Sequence, residues 1–195
     1  MRPGMFSLVA LALLVPCVAL AQNPNPSPTQ SSFDPVIVGT SSGLLIGDGY
    51  HVTIRSPNGT PLGNVTVSVN FQQGVFPYSN QPSPTFTDCA SLIISQVTNG
   101  SGQAFFHPRL GGYVNSAVMA VKANGIFMTQ IAGRSTDLNA NGATDAFDLA
   151  HFRTNFLNNP SAPETDYDES GSTDIGDFSI FRQVFLNDAP GSVCP

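Results

Sequence analysis

Residues 137–148 read Asp-Leu-Asn-Ala-Asn-Gly-Ala-Thr-Asp-Ala-Phe-Asp, and residues 166–177 read Asp-Tyr-Asp-Glu-Ser-Gly-Ser-Thr-Asp-Ile-Gly-Asp. Aligned 29 residues apart, the two stretches share Asp at the first position, Gly at the sixth, Thr at the eighth, and Asp at the ninth and twelfth. The match runs on beyond them: Phe152-Arg153 repeats as Phe181-Arg182, and Phe156-Leu157-Asn158 as Phe185-Leu186-Asn187. An internal period this regular requires one local fold to be built twice, side by side. No other feature of the chain restricts its structure as much.

The spacing within each stretch has a chemical reading. Calcium takes six to eight oxygen ligands, and a twelve-residue loop supplies them from positions one, three, five, seven, nine and twelve, with a Gly at six for the sharp turn. In the first loop those positions are Asp137, Asn139, Asn141, the Ala143 carbonyl, Asp145 and Asp148. In the second they are Asp166, Asp168, Ser170, the Ser172 carbonyl, Asp174 and Asp177. The expected cofactor is therefore calcium, two ions. Position twelve is Asp where the common pattern has Glu, so the loop end must approach more closely. Ser170 is a neutral ligand. The first loop offers three carboxylates and the second four, a difference that does not by itself rank them.

Apolar residues follow each loop at helical spacing: Leu149, Phe152, Phe156 and Leu157, then Phe178, Phe181, Phe185 and Leu186. Asp148 and Asp177 stand near the helix starts, where negative charge is favourable. Asn159-Pro160 and Ala189-Pro190-Gly191 supply stops. Matching stripes predict two helices packed face to face. Repulsion among the carboxylates predicts folding coupled to metal binding.

Two loop–helix units ending in Asp, without a full entering helix before the first, resemble a type I dockerin domain over residues 137–188. Dockerins are secreted calcium-dependent modules that bind cohesin domains and attach proteins, often polysaccharide-degrading enzymes, to a scaffold. The resemblance implies a cohesin-like or other extracellular protein partner. It also implies recognition through positions ten and eleven of each loop, often Ser-Thr in the family. Here those positions are Ala146-Phe147 and Ile175-Gly176. They are unlike each other, which argues against docking in two equivalent orientations.

The rest of the chain reads differently. Arg2, the apolar run Phe6–Leu20 and Ala19-Leu20-Ala21 give residues 1–21 the pattern of a secretory signal peptide. The alternative, an uncleaved anchor, is opposed by the short run and by Pro16. Residues 22–35, rich in Pro, Asn and Ser, predict an extended linker. From 36 to 133, period-two alternation recurs between turn residues, as in Val65, Val67, Val69 and Phe71. This predicts an antiparallel β-sandwich. Asn58–Val67 and Thr98–Phe106 resemble the turn-and-strand segments of bacterial immunoglobulin-like domains. The whole chain is thus expected to be mainly β plus a small α module: an antiparallel immunoglobulin-like β-sandwich followed by a two-helix dockerin-like calcium-binding domain at 134–195.

Export also changes how the cysteines read. With the signal removed, Cys89 and Cys194 remain, and in an oxidising compartment such a pair reads as a disulfide. Two free or intermolecular thiols are the alternative.

Charge narrows the function. From Asp137 onward ten acidic residues face Arg153 and Arg182, a local net charge near −8. No basic stripe of the kind nucleic acid requires is present. No Gly-x-Ser-x-Gly, His-Glu-x-x-His or phosphate-cradling Gly loop occurs. The chain before Asp137 has three Asp and no Glu for glycoside cleavage. The reading is a secreted, non-catalytic adaptor, without a membrane span once the signal is cut. A polysaccharide-binding sandwich using Tyr50, Phe76, Tyr78 and Phe86 is a second reading. A surface protein capped by its calcium module is a third.

Overall fold

The computed structural model describes residues 25–194 apart from Leu45, Asp48, Gln72, Gln73 and Asp188. The expected signal peptide at 1–21 lies outside the described residues. The molecule is mainly β, with two helices near its C-terminal end. Alternation in the sequence becomes sheet wherever it was regular. In β3 (Tyr50–Thr53), Tyr50 and Val52 turn inward and His51 and Thr53 outward. In β4 (Thr66–Asn70), Val67 and Val69 turn inward.

Two sheets enclose one apolar cluster. The smaller has the order β1 (Ser32–Phe33), β3, β8 (Gln103–Phe106). The larger runs β2 (Val36–Gly39), β11 (Ile126–Ser135), β10 (Val114–Ala123), β4, β7 (Ile93–Val97), β6 (Phe86–Asp88). Tyr50, Val52 and Phe106 from the first meet Val67, Val69, Ile94, Met119, Val121 and Ile131 from the second. Each such apolar side chain contributes about 1.5–3 kcal/mol when fully buried. A short ribbon, β5 (Val75–Pro77) with β9 (Leu110–Gly112), lies beside β11.

A turn at Ala123-Asn124-Gly125 joins β10 to β11. Asn124 and Gly125 both have left-handed φ, 48° and 81°, as a tight hairpin with right-handed strand twist demands. The Asn124 side chain also accepts a hydrogen bond from the Thr66 amide at 2.9 Å.

Three features depart from expectation. The pairing is not wholly antiparallel, because β2 lies parallel to β11. Parallel neighbours need a long crossover, and here almost the entire β region serves as one. The stretch 22–35, where it is described, is docked rather than a free linker. Phe33 pairs with Val52 across β1 and β3, and the Ser27 amide donates to the Arg55 carbonyl at 2.8 Å. Its polar residues order because an existing sheet edge supplies backbone partners, which composition does not register. Finally, the boundary at 133/134 falls inside β11, which continues through Arg134 and Ser135 straight into the first loop.

Helix α1 spans Ala146–Asn158 and α2 spans Ile175–Leu186. A 3-10 turn, Pro163–Thr165, precedes the second loop. Phe152 and Phe181 stack at 5.2 Å between ring centres, and Phe152 also stacks on Tyr167 at 6.1 Å. Val38 of β2 packs against this cluster. The apolar stripes are only half buried: Leu157 and Leu186 are about 60 % exposed, at 60 % and 62 %. The face-to-face contact is narrow because Tyr167 and the sheet fill the other side of the helix pair. Among the described residues no helix is long and apolar enough to cross a membrane.

Candidate metal centre

The two loops adopt one backbone. Position four is left-handed in each, with φ 58° at Ala140 and at Glu169. Gly142 and Gly171 at position six have φ of 100° and 94°. A Cβ is strained there, so the shared Gly marks a required turn. Thr144 at position eight meets the Thr136 hydroxyl at 2.9 Å, and Thr173 meets Thr165 at 2.7 Å. These hydroxyl pairs pin the loop entrance to its far side. Thr136 and Thr165 stand immediately before the loops at the same 29-residue spacing, so the duplication already held their signal.

Position twelve does more than end the loop. Asp148 accepts hydrogen bonds from the amides of Leu138 (2.8 Å), Asn139 (3.2 Å) and Asp145 (2.8 Å). Asp177 accepts from Tyr167 (2.5 Å), Asp168 (3.2 Å) and Asp174 (2.8 Å). The short Asp therefore draws the loop closed through positions two, three and nine. It also completes a capping box, with Asp145 and Asp174 as the N-caps of the two helices. Burial pushes the Asp148 carboxyl up to about 6 despite the opposing amides, and nearby Asp137 and Asp145 add to the rise. Burial raises Asp177 and Asp137 as well.

The loops differ at their ligands. In the second, ligand atoms of Asp166, Asp168 and Asp177 all lie within 4.8 Å of one another. Asp166 is 6 % exposed, and its Oδ1 is buried with no hydrogen-bond donor. A carboxylate with a buried, unpartnered oxygen in a group of three carboxylates is costly unless positive charge balances it. The residues of this loop therefore fit a hard divalent ion. Ser170 donates to the Ser172 carbonyl at 3.1 Å, and Asp174 lies at the rim.

In the first loop the side chains satisfy one another. The Asn141 amide nitrogen donates to Asp145 at 3.1 Å, the Asn141 oxygen accepts from the Ala143 amide, and the Asn139 oxygen accepts from the Asn141 amide. Here Asn stands at positions three and five, where the second loop has Asp168 and Ser170.

Each loop is gripped at position one by the β region. The Tyr78 hydroxyl donates to Asp137 Oδ2, which also receives the Gly142 amide at 2.8 Å. Arg134 donates to the Asp166 carbonyl and stands 3.7 Å from Asp166 Oδ2. These two contacts join residues 59 and 32 positions apart, and no local pattern announces them.

Of the partner-recognition candidates, Phe147 and Ile175 are 75 % and 68 % exposed, Ala146 is exposed and Gly176 half-buried. A groove lined by Leu149, Phe152, Arg153, Phe156, Ile175 and Phe178 runs between the helices. Cys89 and Cys194 are joined in a disulfide with Cα atoms 5.2 Å apart. His151 stacks edge-on against Tyr113 and lies 3.8 Å from Glu164. Of the four aromatics considered for sugar stacking, Tyr50 and Tyr78 are buried, while Phe76 and Phe86 are exposed.

No family model matches the chain, and neither does any curated protein or solved structure.

Proposed function

We propose that this chain is an exported, non-catalytic adaptor: an immunoglobulin-like β-sandwich that carries a dockerin-type calcium module for docking to another extracellular protein. The observation that carries the reading is the duplicated loop, closed at its twelfth position by Asp and holding three convergent carboxylates in its second copy. Calcium would be held by the ligands named for each loop. It supplies no chemistry beyond charge, neutralising the carboxylates and fixing the helix starts. Docking would use the exposed apolar crest of Phe147 and Ile175 and the groove beside it.

The contacts from Tyr78 and Arg134 favour a second reading, in which calcium stabilises a cap on the β region. Calorimetric titration of the full chain separates the possibilities. Two ions per chain, with capture by a cohesin-type domain in calcium but not in chelator, support the adaptor. Phe147→Ala with Ile175→Ala should then reduce capture without lowering the melting temperature. Calcium uptake without capture leaves the cap reading, and no uptake removes both.

A further inference from the structure

Building on the calcium reading, we infer that Arg134 is a built-in counter-ion of the second loop and sets how tightly that loop takes calcium. The guanidinium is buried, with the residue 8 % exposed, and its Nε meets no acceptor. It contacts Asp166 twice, through the carbonyl and beside Oδ2. Asp166 is the first position of that loop; one of its carboxylate oxygens lies within 4.8 Å of ligand atoms of Asp168 and Asp177, and its Oδ1 is buried without a hydrogen-bond donor.

A buried carboxylate among carboxylates needs positive charge from some source. Arg134 supplies one unit permanently, because a guanidinium keeps its proton at any ordinary pH. A calcium ion would bring two more units to the same carboxylate. The two cations repel, so each is held less tightly in the presence of the other. Arg134 thus stabilises the empty loop and weakens the filled one.

Among the described residues the first loop has no such cation at its first position. Asp137 receives the neutral Tyr78 hydroxyl instead. Arg134 stands on the strand leading into the first loop but reaches the second, and one period later the chain has Pro163. The duplicated ligand sets are thereby given different affinities by a residue outside the repeat.

The test is calcium titration of the chelator-stripped full chain, with Asp168→Asn identifying the step that belongs to the second loop. Arg134→Gln should tighten that step about tenfold. It should also lower the melting temperature in chelator and not in saturating calcium. Arg134→Lys, which keeps the charge, should stay near the wild-type affinity. Arg134→Met repeats the measurement if the Gln variant does not fold. A folded neutral variant with unchanged or weaker affinity overturns the proposal, as does a Lys variant that shifts as far as the Gln variant. If the wild type has no step that Asp168→Asn removes, the calcium reading itself fails. If it has the step and the neutral variant leaves it in place, only the role of Arg134 fails.

Discussion

At the scale of single residues, Asp148 and Asp177 complete the capping boxes of the two helices and act as the clasp that closes each loop. Their raised carboxyl pKa values have a measurable consequence. A carboxyl whose folded value exceeds its unfolded value favours folding when protonated. That contribution is full below the unfolded value of 3.8 and is lost as pH rises towards the folded value, about 6 for Asp148. Calcium favours the deprotonated form, so it should offset this loss. The gap between melting temperatures in calcium and in chelator is expected to narrow from pH 7 to pH 5. A gap independent of pH would contradict it. The positions that turn and close each loop were legible in the sequence because loop geometry depends on local spacing. Tyr78 and Arg134 were not, because a long-range partner leaves no mark on the residues around it.

At the scale of elements, each helix is started by an Asp that also belongs to a loop, so helix start and loop form together. The stability of the pair rests on one aromatic stack. Phe152 is 1 % exposed and faces Phe181, Tyr167, Phe156 and Phe178. Phe152→Ala should cost about 3–5 kcal/mol, read as loss of far-ultraviolet helical signal at lower denaturant. Phe178→Ala, at a residue 36 % exposed, should cost clearly less. Both helices were legible as stripes following a duplicated loop. Strand β4 was legible from the alternation of Val65, Val67, Val69 and Phe71. β1, β5, β6 and β9 were not, since two or three residues cannot display a period. Nor does alternation reveal which neighbour a strand takes, so the parallel β2–β11 pair emerges only from the assembled sheet.

At the scale of the whole molecule, the C-terminal tail completes the assembly. Ser192 exchanges hydrogen bonds with Ser79 and Asn80, and Val193 bridges to Tyr78. The Gly191 amide donates to the Gly142 carbonyl of the first loop at 2.6 Å. The tail therefore covers the tyrosine that grips that loop, and the disulfide fastens it to the turn after β6. The sequence offered the pair of cysteines and the oxidising context. It gave no sign that the tail would pass over the first loop on its way back.

The bond between Cys89 and Cys194 also decides how the protein carries a mechanical load. A pull applied between the N-terminal strands and the residue following Cys194 crosses directly from one sulfur to the other. The 105-residue separation becomes hidden length that bears no tension, and both duplicated loops lie within it. Stretched one molecule at a time, the oxidised chain should lengthen only by the strands before Cys89. Under reductant it should release about a further 350 Å, at roughly 3.3–3.6 Å per residue. Equal extensions in the two conditions would show that the bridge does not bear the load.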